Sequence, residues 1–213
     1  MWVLKIGGSL QHARDLSDFL AMLVTHAAGQ AVIVPGGGDF ADQVRRLQTE
    51  NDLDNIAAHR MALRAMEEYG AFLACCEPRL QPARTFNDIR RLLAGRKIPV
   101  WLPYDIVANN PAIPECWDVT SDTLSLWCAE QLRCRHLFIL KATEPVTKDY
   151  SARYLSQYGF LDRGFVAMTK RTHVVSWWLH YQKAASFFQM LDRREHPATV
   201  MKEITLWGQS AHH

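Results

Sequence analysis

The fold class this sequence predicts is α/β, a sandwich built on a mostly parallel sheet, and three observations predict it. Short apolar runs at 2–6, 31–34, 98–102 and 136–140 read as buried strands. Between them stand segments with apolar residues at helical spacing. Two glycine clusters, Lys5-Ile6-Gly7-Gly8-Ser9 and Pro35-Gly36-Gly37-Gly38-Asp39, each follow a strand and precede a helical pattern. Strands alternating with helices favour parallel pairing.

The first strand is Trp2-Val3-Leu4-Lys5-Ile6. A helix follows, with Leu16, Phe19, Leu20, Leu23, Val24 and Ala27 on one side, and then the strand 31–34. Phe40, Ala41, Val44 and Leu47 mark the helix after the second glycine loop. Ile56, Met61, Ala65, Met66, Tyr69, Phe72 and Leu73 mark a longer one. Residues 87–94 form a further helix, Ile98–Leu102 a strand, and the prolines and asparagines of 103–114 are turn chemistry. A helix starts near Ser121, and His136–Leu140 is a buried strand ending on Lys141. From 142 to 170 the pattern is weak and predicts irregular loops or a lid. His173–Leu179 is strand-like, Ala184–Leu191 helical, Ala198–Ile204 strand-like, and Gln209–His213 reads as a frayed tail. No composition break marks a linker, so a single domain over 1–213 is expected.

Bulk properties exclude several classes. The 213 residues carry 24 Lys and Arg against 22 Asp and Glu, too even a balance for a nucleic-acid groove. Five cysteines, Cys75, Cys76, Cys116, Cys128 and Cys134, form no C-x-x-C pair and suit a reducing compartment. No signal peptide and no long apolar run are present, so a cytoplasmic protein without a membrane span is expected. The nine histidines show no ligand spacing, and no metal held by the protein is expected.

Both glycine loops lie at the carboxyl ends of their strands, the edge of a parallel sheet where ligands bind. Glycine lets backbone N–H groups approach an anion, and a helix N-terminus behind them adds partial positive charge. Two such loops suggest two phosphates, or one phosphate and another anion. Lys5, inside an apolar strand, either meets an anion or reaches solvent from an edge. Lys141 sits the same way at the end of its strand, or simply begins a surface loop. Two convergent lysines suit a transferring phosphoryl group, whose charge is spread over three oxygens. Asp122, in Thr120-Ser121-Asp122, serves as a helix cap, as an anchor between the lysines, or as both. Arg45 reaches an acceptor phosphate or lies on a solvated helix face. Trp117 and Asp118 line an acceptor pocket or pack at a turn. His59 packs beside the apolar positions of the long helix or faces that pocket. The P-loop, the G-x-G-x-x-G fingerprint and the G-x-S-x-G elbow are all absent.

K-I-G-G-S at 5–9, V-P-G-G-G-D-F-A-D-x-V-R at 34–45 and T-S-D at 120–122 together resemble the amino acid kinase superfamily. The resemblance implies a three-layer αβα sandwich of the carbamate kinase type, with about eight strands. It implies phosphoryl transfer from ATP with Mg²⁺, the metal held mainly by ATP, and a homo-oligomer. Lys5 would then contact the transferring group, and Gly7, Gly8 and Ser9 the ATP phosphates. Gly36, Gly37 and Gly38 would bind the acceptor, and Asp122 would organise the lysines. The chain departs from the family in having L-K-A-T-E-P at 140–145 where T-D-x-x-G is common, and in lacking the later glycine-rich segment with its lysine. Lys141 would stand in for that lysine.

Within the superfamily, F-A-D-x-V-R at 40–45, A-A-H-x-M-A-L at 57–63, A-M-x-x-Y-G at 65–70, W-D-V-T-S-D at 117–122 and L-K at 140–141 are most similar to the small kinases of methanofuran biosynthesis. That likeness implies a small phosphate monoester as acceptor, such as [5-(aminomethyl)furan-3-yl]methyl phosphate, converted to its diphosphate. Carboxylate kinases and nucleoside monophosphate kinases of the same fold remain open, as does a non-catalytic ATP- or oxyanion-binding protein.

Overall fold

Strand β1 (Trp2–Ile6) is buried along its whole length because it lies inside a sheet and not at its edge. A computed structural model describes residues 1–208, and the tail expected from Gln209 to His213 lies outside them. The other strands are β2 (Ala31–Pro35), β3 (Leu80–Ala83), β4 (Ile98–Trp101), β5 (His136–Lys141), β6 (Val175–His180) and β7 (Lys202–Ile204). Their order in the sheet is β3-β4-β2-β1-β5-β6-β7. All pairings are parallel except β6 with β7. From β1 the chain winds outward through β2 towards β4 and β3, then returns to the other side of β1 as β5. This reversal opens a crevice at the carboxyl ends of β1 and β5, where open α/β sheets take their ligands.

The longer helices are α1 (Leu16–Ala27), α2 (Gly38–Asn51), α3 (Asn55–Cys76), α4 (Phe86–Ala94), α6 (Ser121–Gln131) and α9 (Ala184–Arg193). They form layers on both faces of the sheet. Alternate residues of β1 explain this: Val3 joins a core with α4 and α6, while Leu4 and Ile6 join a second core with α1 and α9. Each such apolar side chain contributes about 1.5–3 kcal/mol by leaving water. Lys5 shares the face of Val3 and so points towards α6, with Val34 and Ile139 beside it in register.

Several expectations are corrected. The sheet has seven strands among the described residues, not eight. Strand β3 was missed because Leu80-Gln81-Pro82-Ala83 has little apolar alternation, and Pro82 is tolerated only because β3 is an edge. The segment 142–170 is not wholly irregular: it holds α7 (Ala152–Gln157) and α8 (Arg163–Thr169), too short for periodicity to show. Ser151 and Asp162 cap them, accepting from the Tyr154 and Phe165 N–H groups respectively. The region 103–114 contains the one-turn helix α5 (Tyr104–Val107). The strand expected over Ala198–Ile204 is confined to β7, because His196 caps a tight turn over Pro197–Thr199 first.

Candidate active site

The two glycine loops touch each other. A Cβ on Gly8 would lie 2.2 Å from the Gly38 nitrogen and 2.5 Å from its Cα, so backbone meets backbone. Gly38 itself has φ +54°, a left-handed conformation that favours glycine. Not every loop amide is free. The Gly7 N–H donates to the Leu140 carbonyl at 3.0 Å, and the Gly36 N–H to the Ile6 carbonyl at 2.9 Å. Those two glycines extend the sheet. The N–H groups of Gly8, Ser9, Gly37 and Gly38 have no such backbone partner among the described residues; the first two open a short 3₁₀ turn and the last two open α2. They are the amides positioned to receive anions.

Beside the loops, three charges converge. The Lys5 ammonium lies 2.7 Å from Asp122 Oδ1, with both side chains buried. The Lys141 ammonium lies 3.1 Å from the same oxygen and also donates to Oδ2 and to the Phe160 carbonyl. Burial alone would push the Asp122 carboxyl up, but Lys141 and then Lys5 outweigh it and hold it below the usual carboxylate range. Burial brings Lys141 down to about 8, with the like charge of Lys5 adding to the effect and Asp122 opposing it. Two ammonium groups against one carboxylate leave an excess positive charge at the crevice, which an incoming anion satisfies.

Asp162 fixes this arrangement from outside the cluster. Its carboxylate accepts from the Thr120 N–H and hydroxyl, both at 2.8 Å, from the Thr123 N–H at 3.0 Å, and from the Thr123 hydroxyl. It also accepts from the Phe165 N–H at 3.0 Å. One side chain therefore caps α6 and α8 together. Burial, then the charge of Asp122, raises its carboxyl above the ordinary value.

On the other side of the loops lies a cavity of about 180 Å³. Gly8, Ser9, Gly37 and Gly38 form its anion-facing wall, and Ala41, Ala62, Leu63, Met66, Val119 and Leu124 supply apolar lining. Its remaining lining includes Asp42, Arg45, His59 and Trp117. The Arg45 guanidinium stacks 4.3 Å from the Trp117 ring centroid and pairs with Asp42 at 2.8 Å. The Trp117 indole N–H donates to Gln48, which holds the ring upright. His59 donates from Nδ1 to the Cys116 carbonyl at 3.2 Å, while its Nε2 is buried without a protein partner. Burial holds the imidazole below its usual value, against that hydrogen bond and Glu115. A second pair runs alongside: Arg60 Nε donates to Glu115 at 3.1 Å, joining the same two segments one residue away on each.

The structure thus brings Lys5, Asp122 and Lys141 together, and it gathers Gly8, Ser9, Gly37, Gly38, Arg45, His59 and Trp117 around one cavity. Gly7 and Gly36 lie behind the loops. Asp118 does not line the cavity: its side chain is exposed 4.0 Å from Arg163, and its carbonyl accepts from the Gly164 N–H. Sequence reading missed Asp162, although Asp before a helical turn is a cap signal, and it missed Asp42, whose spacing from Arg45 places both on one helix face.

Comparison with known proteins fits this geometry. The Amino acid kinase family matches residues 1–157. The [5-(aminomethyl)furan-3-yl]methyl phosphate kinase of Methanocaldococcus jannaschii is 31% identical over 140 residues, which are 65% of this chain and 64% of that protein. The match therefore spans somewhat less than two thirds of the relative. Among solved structures, uridylate kinase from Archaeoglobus fulgidus superposes with a TM-score of 0.65 at 13% identity, covering 90% of this chain and 95% of that one. UMP kinase from Ureaplasma parvum gives 0.67 at 13% identity, covering 96% and 98%. An isopentenyl phosphate kinase substrate complex gives 0.58 at 14% identity, covering 96% and 100%. These structures share the three-layer fold. With the family match running from β1 through α7, across both glycine loops and the lysine–aspartate cluster, the chain belongs to the amino acid kinase family.

Proposed function

We propose that this protein is an ATP-dependent small-molecule kinase whose acceptor is a phosphate monoester, [5-(aminomethyl)furan-3-yl]methyl phosphate or a close relative, giving the diphosphate. The observation that carries the reading is the Lys5–Asp122–Lys141 cluster, set beside two touching glycine loops and next to a small, partly apolar cavity. Free loop amides and an excess of buried positive charge fit a polyphosphate. ATP, when bound, supplies the phosphoryl group, with Mg²⁺ carried on its own oxygens. Asp122 is already shared by two ammonium groups and acts as their anchor. Lys5 and Lys141 meet the negative charge that spreads over the transferring oxygens. Gly8 and Ser9 orient the donor phosphates. Gly37, Gly38, Arg45 and His59 hold the acceptor phosphate, while the apolar lining and Trp117 receive its ring. The cavity is smaller than the roughly 300–1,000 Å³ of drug-sized ligand sites, which favours this acceptor over a nucleoside monophosphate. The proposal includes a homo-oligomer, and a place in the cytoplasm, the latter supported by the free cysteines.

The test is ADP release from Mg-ATP with a panel of acceptors: the aminomethylfuran phosphate, UMP, isopentenyl phosphate, aspartate and acetylglutamate. Turnover dependent on the furan phosphate is the expected result. Turnover with UMP or a carboxylate alone replaces the acceptor, and nucleotide binding without any turnover replaces the kinase.

A further inference from the structure

The cavity carries a feature that a phosphate site does not need. Among its lining residues Asp42 is the one carboxylate, and a carboxylate repels a dianionic acceptor. Its Oδ1 accepts a hydrogen bond from Arg45, while Oδ2 has no protein donor among the described residues. The same cavity is lined by Trp117, whose face already attracts a cation, the Arg45 guanidinium, at 4.3 Å. A carboxylate beside an indole face is a receptor for a positively charged group. The anion-receiving amides of Gly8, Ser9, Gly37 and Gly38 belong to the same cavity, with apolar side chains lining it as well. The cavity is therefore polarised, with groups for negative charge, for an apolar body and for positive charge.

Resting on the phosphate-kinase reading above, we propose that Asp42 and Trp117 form an ammonium subsite that selects acceptors bearing a primary amine as well as a phosphate. Arg45 has the alternative partner it needs, because an acceptor phosphate draws its guanidinium from Asp42. The carboxylate is then released to accept hydrogen bonds from the ammonium, and the two charges exchange partners on binding. An acceptor lacking the amine draws Arg45 towards its phosphate and leaves the Asp42 carboxylate with no cation in exchange. Asp42 thus contributes selectivity by rejection as well as by attraction.

The experiment compares kcat/KM for [5-(aminomethyl)furan-3-yl]methyl phosphate with that for the analogue in which methyl replaces aminomethyl. Wild type and Asp42→Asn are both measured, and their thermal melting confirms that each is folded. Asp42 is largely exposed, so wild type should prefer the amine by roughly two- to fivefold, the scale of a solvent-screened charge pair. In Asp42→Asn this preference should largely disappear. An unchanged preference in the variant, or a parallel fall for both acceptors, overturns the ammonium subsite and leaves the kinase reading standing. Wild-type turnover of isopentenyl phosphate in place of the amine does the same. If wild type turns over no phosphate monoester at all, the kinase reading falls and takes the subsite with it.

Discussion

Asp162 caps the helix that carries Asp122, accepting from both the backbone N–H and the hydroxyl of Thr123, which lies 39 residues earlier in the chain. Helix α6 has no cap from its own Thr120 side chain, so the α8 segment supplies one. Asp162→Ala strands several buried donors at once, and a loss of about 3 kcal/mol is expected from caps and buried hydrogen bonds of this kind. Asp162→Asn keeps one acceptor oxygen and should lose less. Urea denaturation of both variants measures this, and equal losses would remove the two-helix cap.

Lys5→Ala and Asp122→Asn should each lower turnover by on the order of 10²–10³, the scale for removing one positioned charge or donor. Their stabilities should differ. Lys5→Ala leaves Asp122 paired with Lys141, whereas Asp122→Asn leaves two ammonium groups facing each other without a counter-ion. The second variant should therefore melt lower and recover more of that loss in excess nucleotide. Near-normal turnover in either purified variant would overturn the assigned roles.

Lys141 gives the site a pH dependence whose sign follows from burial. Its folded pKa is about 8, below that of the unfolded lysine. Above about 8, up to the unfolded value, the unfolded chain holds more protons, so this group's contribution to stability rises with pH there. Binding behaves oppositely, since only the charged form attracts nucleotide. Affinity for ATP should fall as pH rises through about 8, and ATP binding at alkaline pH should take up protons. Titration calorimetry in buffers of different ionisation enthalpy reads the uptake. Lys141→Arg, charged throughout, should abolish it, and no uptake in wild type would contradict the assignment.

His59 stands neutral at pH 7, because burial lowers its pKa despite the hydrogen bond that its Nδ1–H donates to the Cys116 carbonyl. Nε2 then meets an acceptor phosphate well only if a proton is shared between them. The acceptor KM should fall as pH is lowered from neutrality, and this slope should be absent in His59→Asn. Glu115→Gln loosens the Arg60 pair that runs beside the His59–Cys116 hydrogen bond. It should raise the acceptor KM with little change in kcat, and an equal fall in kcat would point to general disruption instead.

Gly8→Ala should cost about 3 kcal/mol or more and abolish turnover, because its Cβ would meet backbone and overpacking cannot relax there. Gly95→Ala is the control. Its Cβ would have its nearest neighbour at 3.4 Å, and a change within about 1 kcal/mol is expected. Thermal melts of the two variants decide the comparison.

The strands that were legible in the sequence are β1, β2, β4 and β5, whose continuous apolar runs leave no other reading, and β6, expected over His173–Leu179 and found at Val175–His180. Strand β3 and helices α5, α7 and α8 were not legible, since four to seven residues do not complete a periodic pattern and tertiary contacts decide their form. Lys5 and Lys141 stood out because a lysine next to an apolar strand interior has no cheap explanation. Asp162 did not, because its value comes from Thr120 and Thr123, which are distant in sequence. Asp118 looked like a cavity residue only by its adjacency to Trp117. Two neighbours on an irregular segment face different ways, and no period exists there to tell them apart.

The contact between Gly8 and Gly38 also bears on inheritance. What obstructs a side chain at position 8 is the Gly38 nitrogen and α-carbon, atoms that every amino acid possesses. No replacement at position 38 makes room. A selection for second-site revertants of Gly8→Ala should therefore return true reversions and never a partner change at 38. The two loops can drift in sequence around that point, but neither can accommodate the other's loss, so the pair is inherited as a single unit.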